Sequence, residues 1–383
     1  MKNLMEPLPR IEEFVKNPSF SIKATPKRIK QSNDIFVRAM RGELGSESQK
    51  IGITTPSVHP MDRTVFSPIM LRAFLWKACE ADVFKWKINV SDKEKMSSHI
   101  KEVAKYFGAD LVGITYLHPA FVYEDTRDGK PTDLSYKYAI VMAKEMDYDS
   151  IATSPSWMDH VEVGKKYQEM AVLSIHLAKY IGQLGYPARA SFAGNDTVLH
   201  IPMAIYAGLG ELSRMDRLIT KEYGPRVRLC TVTTDLPLEA DHPVDLNVEH
   251  FCQLCKKCAT NCPTNAIPFG EKTEINGVLK WKIDGEACYK FFKKNPMKWG
   301  DCIRCISVCP WNKPNTPFHR MIAKKVVKDK WTHRTMLFLD DLFYGKKPKR
   351  KEIPPSYNDF LMKEEDYWQM IKDMDVREKH LGV

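Results

Sequence analysis

The sequence predicts an α/β (α+β) core followed by a C-terminal ferredoxin-like domain. Segments typical of strands and of helices alternate between about residues 90 and 240, as in cores that combine both elements. Eight of the ten cysteines lie between residues 252 and 309, in two sets of similar spacing. With 383 residues, the chain is long enough to bury a large core beside such a domain.

Three apolar runs define the strands of the predicted core. Buried strands are predicted over residues 109–115, 138–142 and 228–233, and a helix over residues 92–106. These segments follow one another closely, so they can pack as successive elements of one core.

A long helix is predicted after the second strand. Its apolar residues recur at helical spacing and are Met170, Leu173, Leu177 and Ile181. Its end is predicted at Leu184-Gly185-Tyr186, because glycine suits the left-handed conformation that commonly ends a helix.

The composition describes a folded protein with a basic surface. Lys and Arg number 58 against 48 Asp and Glu, which gives a formal net charge of +10, and hydrophobic residues make up 43%. The basic residues are dispersed, and the densest run, residues 346–351, is predicted to be a solvated loop. We therefore expect no nucleic-acid partner.

Neither a membrane span nor an export signal is evident. No apolar run has the length of a bilayer-spanning helix, and residues 1–7 lack an apolar signal core and a twin-arginine pair. The expected location is therefore the cytoplasm, unless the chain is a mature form whose leader has been removed.

The two cysteine sets have the spacing of iron–sulfur ligands. The first is C-x2-C-x2-C-x3-C-P and the second C-x13-C-x2-C-x3-C-P. Two-residue gaps let thiolates converge on one cluster, whereas the cysteine before proline ligates the other cluster in two-cluster ferredoxins. The predicted ligands are Cys252, Cys255, Cys258 and Cys309 for one 4Fe–4S cluster, and Cys288, Cys302, Cys305 and Cys262 for the other.

Zinc and disulfides are the alternatives for these cysteines. Zinc has no use for the third cysteine or the Cys-Pro ending, and disulfides do not suit such close spacing. The other two cysteines, Cys79 and Cys230, stand alone in apolar surroundings and are predicted to be buried by packing. An electron carrier without enzymatic activity would need the clusters, but not the long segment before Cys252.

Short motifs elsewhere in the chain occur in a specific order. They are residues 27–36, Leu184-Gly185-Tyr186, Ala207-Gly208-Leu209-Gly210-Glu211, Tyr223-Gly224-Pro225, Arg228-Leu229-Cys230, Thr234-Asp235-Leu236-Pro237-Leu238 and Cys309-Pro310-Trp311-Asn312-Lys313-Pro314. Together with the cysteine sets, this order resembles the reductive dehalogenase family, the corrinoid and iron–sulfur enzymes that remove halogen from organohalides.

The resemblance implies a corrinoid-binding core of nitroreductase-like type, with a base-off cobalamin and two 4Fe–4S clusters. In agreement, the sequence lacks the Asp-x-His-x-x-Gly signature that would supply a histidine to cobalt. The expected organisation is an N-terminal extension packing on the core (1–90), the corrinoid-binding catalytic core (91–245), the two-cluster domain (246–320) and a C-terminal segment packing back on the core (321–383).

The same resemblance implies the site residues. The family's catalytic tyrosine lies in the helix that ends at Leu-Gly-Tyr, here Tyr167, and its basic residue precedes the Thr-Asp-Leu-Pro-Leu run, here Arg228. Tyr167 would donate a proton, and Arg228 would stabilise the phenolate left behind. Asn195 is the third catalytic candidate and also a cofactor contact. The other predicted cofactor contacts are His200, Gly208 and Gly210, although a tight turn explains the glycines equally well.

The implied activity is replacement of a carbon-bound halogen by hydrogen, in organohalide respiration, with a low-potential electron donor. Respiratory members work at the outer face of the cytoplasmic membrane with a small membrane anchor protein, which implies that location for a leader-less mature form. The enzyme alternative is an epoxyqueuosine reductase, which shares the corrinoid, similar cysteine sets and a Cys-Pro-Trp-Asn ending. The long insertion at residues 271–283, the run at residues 234–238 and the missing acidic motif of that enzyme count against it.

Overall fold

The computed structural model describes residues 21–45, 71, 74–294 and 302–352. The strands are β1 (Ser21–Ile22), β2 (Leu111–Tyr116), β3 (Tyr138–Glu145), β4 (Ala188–Ser191), β5 (Glu211–Leu212), β6 (Leu218–Ile219), β7 (Val227–Thr234), β8 (Thr273–Ile275) and β9 (Val278–Lys280). The helices are α1 (Ile35–Met40), α2 (Lys93–Tyr106), α3 (Tyr148–Ala152), α4 (Trp157–Gln183), α5 (His200–Tyr206), α6 (Val248–Leu254), α7 (Lys257–Thr260), α8 (Gly285–Lys294), α9 (Arg304–Ser307), α10 (Pro317–Lys328) and α11 (Thr332–Tyr344). Short 3₁₀ turns lie at Gln31–Asn33, Trp76–Ala78 and Pro119–Phe121.

A four-stranded antiparallel sheet, in the order β2-β3-β7-β4, forms the centre of the core. Alternate residues of β3 face opposite apolar layers. Ile140 and Met142 pack with residues of α4, whereas Ala139 and Val141 pack with residues of α5. Because both faces are covered, β3 reads as a continuous apolar run rather than as an alternating pattern.

The predicted strands and the predicted helix over residues 92–106 correspond to β2, β3, β7 and α2. Each ladder among the described strands is antiparallel, so the core is of the α+β kind within the mixed class that the sequence predicts. The sequence does not predict β4, because Ala188–Ser191 contains no β-branched residue. This strand forms because β7 offers it an edge to pair with.

The long helix α4 begins at a capping box and buries one face against the sheet. Ser156 accepts a hydrogen bond from the backbone N–H of Asp159, whose side chain accepts one from the N–H of Ser156. After the helix, Gly185 has a φ of +84°, and a Cβ there would lie 2.3 Å from the carbonyl oxygen of Trp86. Glycine is therefore required by both the backbone conformation and the close approach.

The segment before α2 lies along the free edge of β4. The N–H of Ala81 donates to the carbonyl of Ala188, and the N–H of Ala190 donates to the carbonyl of Cys79, each at 2.8 Å. As predicted, Cys79 and Cys230 are buried. Strand β1 pairs instead with β9, so the N-terminal residues also contact the hairpin formed by the insertion at 271–283.

Helices α10 and α11 cover the cysteine-bearing part of the chain. The ammonium of Lys257 in α7 forms a buried ion pair with Asp340 of α11. The described residues beyond 320 therefore pack largely on the cysteine region, and they reach the core where the N–H of Lys351 donates to the carbonyl of Ala152. Among the helices of the described ranges, none combines the length and apolar composition that a bilayer span requires.

Candidate redox and catalytic site

Short helices and turns bring the eight cysteines of the C-terminal sets together. Four of them lie within helices, namely Cys252 in α6, Cys258 in α7, Cys288 in α8 and Cys305 in α9. The others lie at turns beside these helices, as shown by Cys255, at which α6 ends. All eight are free thiols, so the disulfide alternative finds no support in the structure.

The thiols form two groups, and each group combines cysteines of both sequence sets. Cys309 of the second set lines a small cavity with three cysteines of the first set, Cys252, Cys255 and Cys258. In the other group, the charges of Cys288 and Cys262 act on Cys305. The structure thus brings together cysteines that the sequence analysis assigns to the same cluster, with Cys309 and Cys262 exchanged between the two sets (the crossover assignment).

Burial disfavours the ionised form of these thiols. Desolvation raises the pKa of Cys255 to about 11, of Cys252 to about 12 and of Cys305 to about 11. Thiolates bind metal, so metal binding has to displace these protons. No group of three or more His, Cys, Asp or Glu side chains in the described ranges is arranged around a single metal ion.

The hairpin of β5 and β6 supplies charged groups beside the cysteines. Arg214 lines the cavity of the first group, and its charge opposes the rise in the pKa of Cys252. Arg217, exposed on the same hairpin, has the same effect on Cys305. Glu211 accepts hydrogen bonds from two N–H groups at the start of α6, and burial raises its pKa to about 7.

A second arginine joins the core to the end of the cysteine region. Arg226 is fully buried just before β7, and its Nε donates to Oδ1 of Asn312 at 2.9 Å. Its Nη1 donates to the carbonyl of Met146 at 2.9 Å. At Gly224, a Cβ would lie 2.3 Å from the carbonyl oxygen of Trp311. The Tyr-Gly-Pro and Cys-Pro-Trp-Asn motifs therefore meet, which the sequence does not predict.

The structure places Tyr167 and Arg228 against each other. Tyr167 lies on α4 and Arg228 near the start of β7, and the guanidinium carbon is 5.0 Å from the centre of the phenol ring. Both residues are half-buried. Nε of Arg228 is buried and finds no hydrogen-bond partner among the described residues. Tyr167 also packs against the apolar cluster that contains Cys252 and Cys309.

Comparisons with known proteins find matches to the cysteine region and to a larger part of the chain. Residues 251–313 match the 4Fe-4S dicluster domain family. A tetrachloroethene reductive dehalogenase of Desulfitobacterium hafniense is 35% identical over 287 residues, which are 61% of this chain and 51% of that protein. The chain thus spans about half the length of this curated relative.

Solved structures extend the likeness to the fold. The catabolic reductive dehalogenase NpRdhA, in complex with 3-bromo-4-hydroxybenzoic acid, superposes with a TM-score of 0.79 at 30% identity, over 86% of this chain and 48% of that one. A second reductive dehalogenase, whose structure suggests a mechanism for B12-dependent dehalogenation, superposes with a TM-score of 0.78 at 28% identity. This match covers 90% of this chain and 54% of that one. The chain is related to the reductive dehalogenases. The epoxyqueuosine reductase of Vibrio cholerae matches more weakly, at 27% over 199 residues, or 48% of this chain and 52% of that protein.

Asn195, the third catalytic residue predicted from the reductive dehalogenases, is engaged elsewhere. Its Nδ2 donates to Sγ of Cys79 at 2.9 Å, and its Oδ1 accepts from Arg189 at 3.3 Å. These contacts belong to the edge of β4, and none of them involves Tyr167 or Arg228. The structure therefore gives Asn195 a packing role, and its role in catalysis stays a prediction.

The other predicted cofactor contacts also have partners within the protein. Both ring nitrogens of His200 are engaged, with Thr231 at 2.8 Å and Asp196 at 2.7 Å. A Cβ on Gly208 would lie 2.6 Å from the carbonyl oxygen of His242, and one on Gly210 would lie 2.1 Å from that of Ile219. In the structure both glycines make room for protein backbone, which supports the turn interpretation; contact with a cofactor stays a prediction.

Proposed function

We propose that this protein is a reductive dehalogenase that replaces a carbon-bound halogen by hydrogen. The observation that carries the proposal is the contact between Arg228 and Tyr167, beside two four-cysteine groups. A proton donor and a fixed cation thus lie next to a site suited to electron delivery. Likeness to relatives named for dehalogenation supports the same reaction.

The proposed cofactors are two 4Fe–4S clusters and a base-off corrinoid. The eight free thiols fit the clusters in number and grouping. For the corrinoid, the fitting feature is the unpartnered Nε of Arg228 beside the half-buried phenol; Gly208 and Gly210 face protein backbone instead. A reduced corrinoid would supply a strong nucleophile and reductant for the carbon–halogen bond.

In this proposal, Tyr167 and Arg228 act as a proton-donating pair. The hydroxyl of Tyr167 gives its proton to the carbon that loses the halogen. Phenols are weak acids, so a permanently protonated guanidinium beside the ring stabilises the resulting phenolate. Arg228 also favours departure of the anionic halide by the same charge. The nitroreductase-like type of the core is proposed on the family resemblance alone.

The proposed partners are a small organohalide and a low-potential electron donor. We also propose a small membrane anchor protein, with the outer face of the cytoplasmic membrane as the location of a mature, leader-less form. Fractionation of cells that make this protein would test the location. An enzyme found only in the cytoplasmic fraction would contradict it.

Reconstitution provides the test of the activity. The protein is loaded anaerobically with iron, sulfide and cobalamin, and its absorption spectrum is recorded before incubation with a reduced low-potential donor. The substrates are chlorinated alkenes, chlorinated alkanes and halogenated phenols, and released halide is measured. We expect halide release that requires cobalamin. Iron–sulfur absorption without bound corrinoid would favour the electron carrier, and reduction of epoxyqueuosine in tRNA without halide release would favour the alternative enzyme.

A further inference from the structure

Arg214 places a buried positive charge at the first cysteine group. Its side chain is only 2% exposed, and it lines the same cavity as Cys252, Cys258 and Cys309. Its Nε donates to the carbonyl of Cys252 at 3.0 Å. The guanidinium therefore lies beside the ligand-bearing chain itself, away from solvent.

The position of the Arg214 guanidinium is fixed from several sides. Nη1 donates to the carbonyl oxygens of Pro268 and Gly270, each at 2.9 Å. The guanidinium carbon lies 4.4 Å from the ring centre of Trp281, whose indole N–H donates to the same Gly270 carbonyl at 3.0 Å. A planar cation held by stacking and by three carbonyls has little freedom to move towards a distant counter-ion.

Carboxylates of the same hairpin leave this charge without a counter-ion. The hydrogen bonds of Arg214 to described residues all go to backbone carbonyls. Asp216 is paired with Lys280 at 2.7 Å and Lys282 at 3.0 Å. Glu211 accepts from the N–H groups of Leu246 and Val248, and its pKa of about 7 leaves it only partly ionised near neutral pH.

We propose that Arg214 raises the reduction potential of the cluster held by Cys252, Cys255, Cys258 and Cys309. This inference rests on the proposed function only in requiring a cluster at that group. A cluster with four thiolates is anionic and becomes more negative by one charge when the donor gives it one electron, with no bond made or broken. A buried cation stabilises the reduced form more than the oxidised form. Arg214 thus acts through the cluster, as a positioning residue.

The test measures cluster potentials in the reconstituted full chain. Arg214→Gln removes the charge, Arg214→Lys keeps it, and Arg217→Gln removes an exposed charge from the same hairpin. Potentials are read by redox titration followed by electron paramagnetic resonance, with iron content as the measure of occupancy. The signal that disappears in Cys255→Ala identifies the first cluster.

We expect Arg214→Gln to shift the potential of the first cluster to more negative values and to leave that of the second unchanged. Arg214→Lys should stay close to the wild type. Arg217→Gln should leave the potential of the first cluster unchanged, because its charge is exposed to solvent and acts on Cys305 of the second group. An unchanged first potential in fully loaded Arg214→Gln would overturn the inference.

If Arg214→Gln fails to bind the first cluster, Arg214→Lys tests whether the charge at this position sets the potential. A loaded Arg214→Lys protein with the wild-type potential supports the role of charge. The same protein with a strongly negative shift contradicts it, because its charge is retained. A wild-type protein that binds iron and sulfide at neither group would contradict the proposed function as well, whereas intact clusters with unchanged potentials would contradict this inference alone.

Discussion

The core and the cysteine region are held together in different ways. In the core, β3 pairs with β7 from Tyr138 to Glu145, and both faces of this ladder lie under apolar layers. The cysteine region contains two four-residue helices, α7 and α9, two three-residue strands, two buried thiols and six partly buried ones. Apolar burial can stabilise the first region, whereas short elements around buried polar groups need another source of stability.

Because of this difference, we expect the cysteine region to depend on its cofactors for stability and the core to be independent of them. Four thiolates converging on iron would supply the missing stability of the cysteine region, as in other small metal-binding folds. The sheet needs no such ligand. Arg226, which bonds to Asn312, connects the two regions, so disorder in one of them removes partners from the other.

Tyr167→Phe should have the largest effect, a loss of activity. It should leave the stability of both the core and the cysteine region unchanged. The variant loses its only transferable side-chain proton, so we expect dehalogenation to fall by about 10²- to 10⁴-fold. Iron content and unfolding should stay unchanged, because the ring keeps its packing. Halide release measures the loss. Tyr180→Phe is the control, since Tyr180 lies near the C-terminal end of α4 and its hydroxyl contacts His99. Full activity of Tyr167→Phe would show that Tyr167 does not take part in the reaction.

Cys309→Ala should damage the cysteine region without damaging the sheet. If Cys309 completes the first cluster, the variant should lose roughly half of the bound iron, that of one of two clusters. Iron analysis and electron paramagnetic resonance measure this loss, and circular dichroism follows the sheet. Cys230→Ala, a buried cysteine of β7, should keep all its iron. Retention of the first cluster in Cys309→Ala would show that the crossover assignment is wrong.

Met142→Ala should weaken the core through lost apolar burial. Met142 is fully buried in β3, and truncation of such a residue costs about 2–5 kcal/mol of unfolding free energy. Chemical denaturation of the cluster-loaded protein measures this cost. Ile275→Ala, at an exposed position of β8, should change stability by less than about 0.5 kcal/mol. Equal effects of the two substitutions would contradict the view that apolar burial dominates in the core.

Ser156→Ala should have the smallest effect and should test the start of α4. Loss of the capping side chain costs about 1 kcal/mol, because one N–H at the first turn loses its acceptor. Chemical denaturation again measures the change. Ser156→Asp is the matched variant, since aspartate also caps helices and should recover much of the stability. A stable alanine variant would mean that packing alone determines where α4 begins.

Local patterns in the sequence predict a large part of the fold. Met170, Leu173, Leu177 and Ile181 recur at helical spacing and lie on the buried face of α4. The two-residue gaps likewise predict which cysteines of each set converge, because ligands so close in sequence are constrained by local geometry. The exchange of Cys262 and Cys309 between the groups follows instead from the known pattern of two-cluster ferredoxins. The start of α4 at Trp157 is harder to predict from the sequence, because it depends on a pair of capping hydrogen bonds rather than on apolar spacing.

Contacts between distant residues could not be read from these patterns. Arg228 meets Tyr167 because a strand and a helix pack together, and only the family resemblance pointed to the pair. Arg214 and Arg226 carry no sequence signal that separates them from surface arginines, although both are almost fully buried. For Asn195, the order along the chain suggested a catalytic role, and the structure shows its side chain bonded to Cys79 and Arg189. Its role in catalysis stays a prediction.

The position of Cys309 in the first group has a consequence for biosynthesis. Cys252, Cys255 and Cys258 leave the ribosome early, but their fourth partner emerges only after Cys305, the last predicted ligand of the second cluster. Both ligand sets are thus completed within four residues of each other. A nascent chain that stops before Cys305 would carry at most six of the eight predicted ligands and no finished site for either cluster. Cofactor insertion is therefore expected to follow translation of this whole region rather than to accompany it.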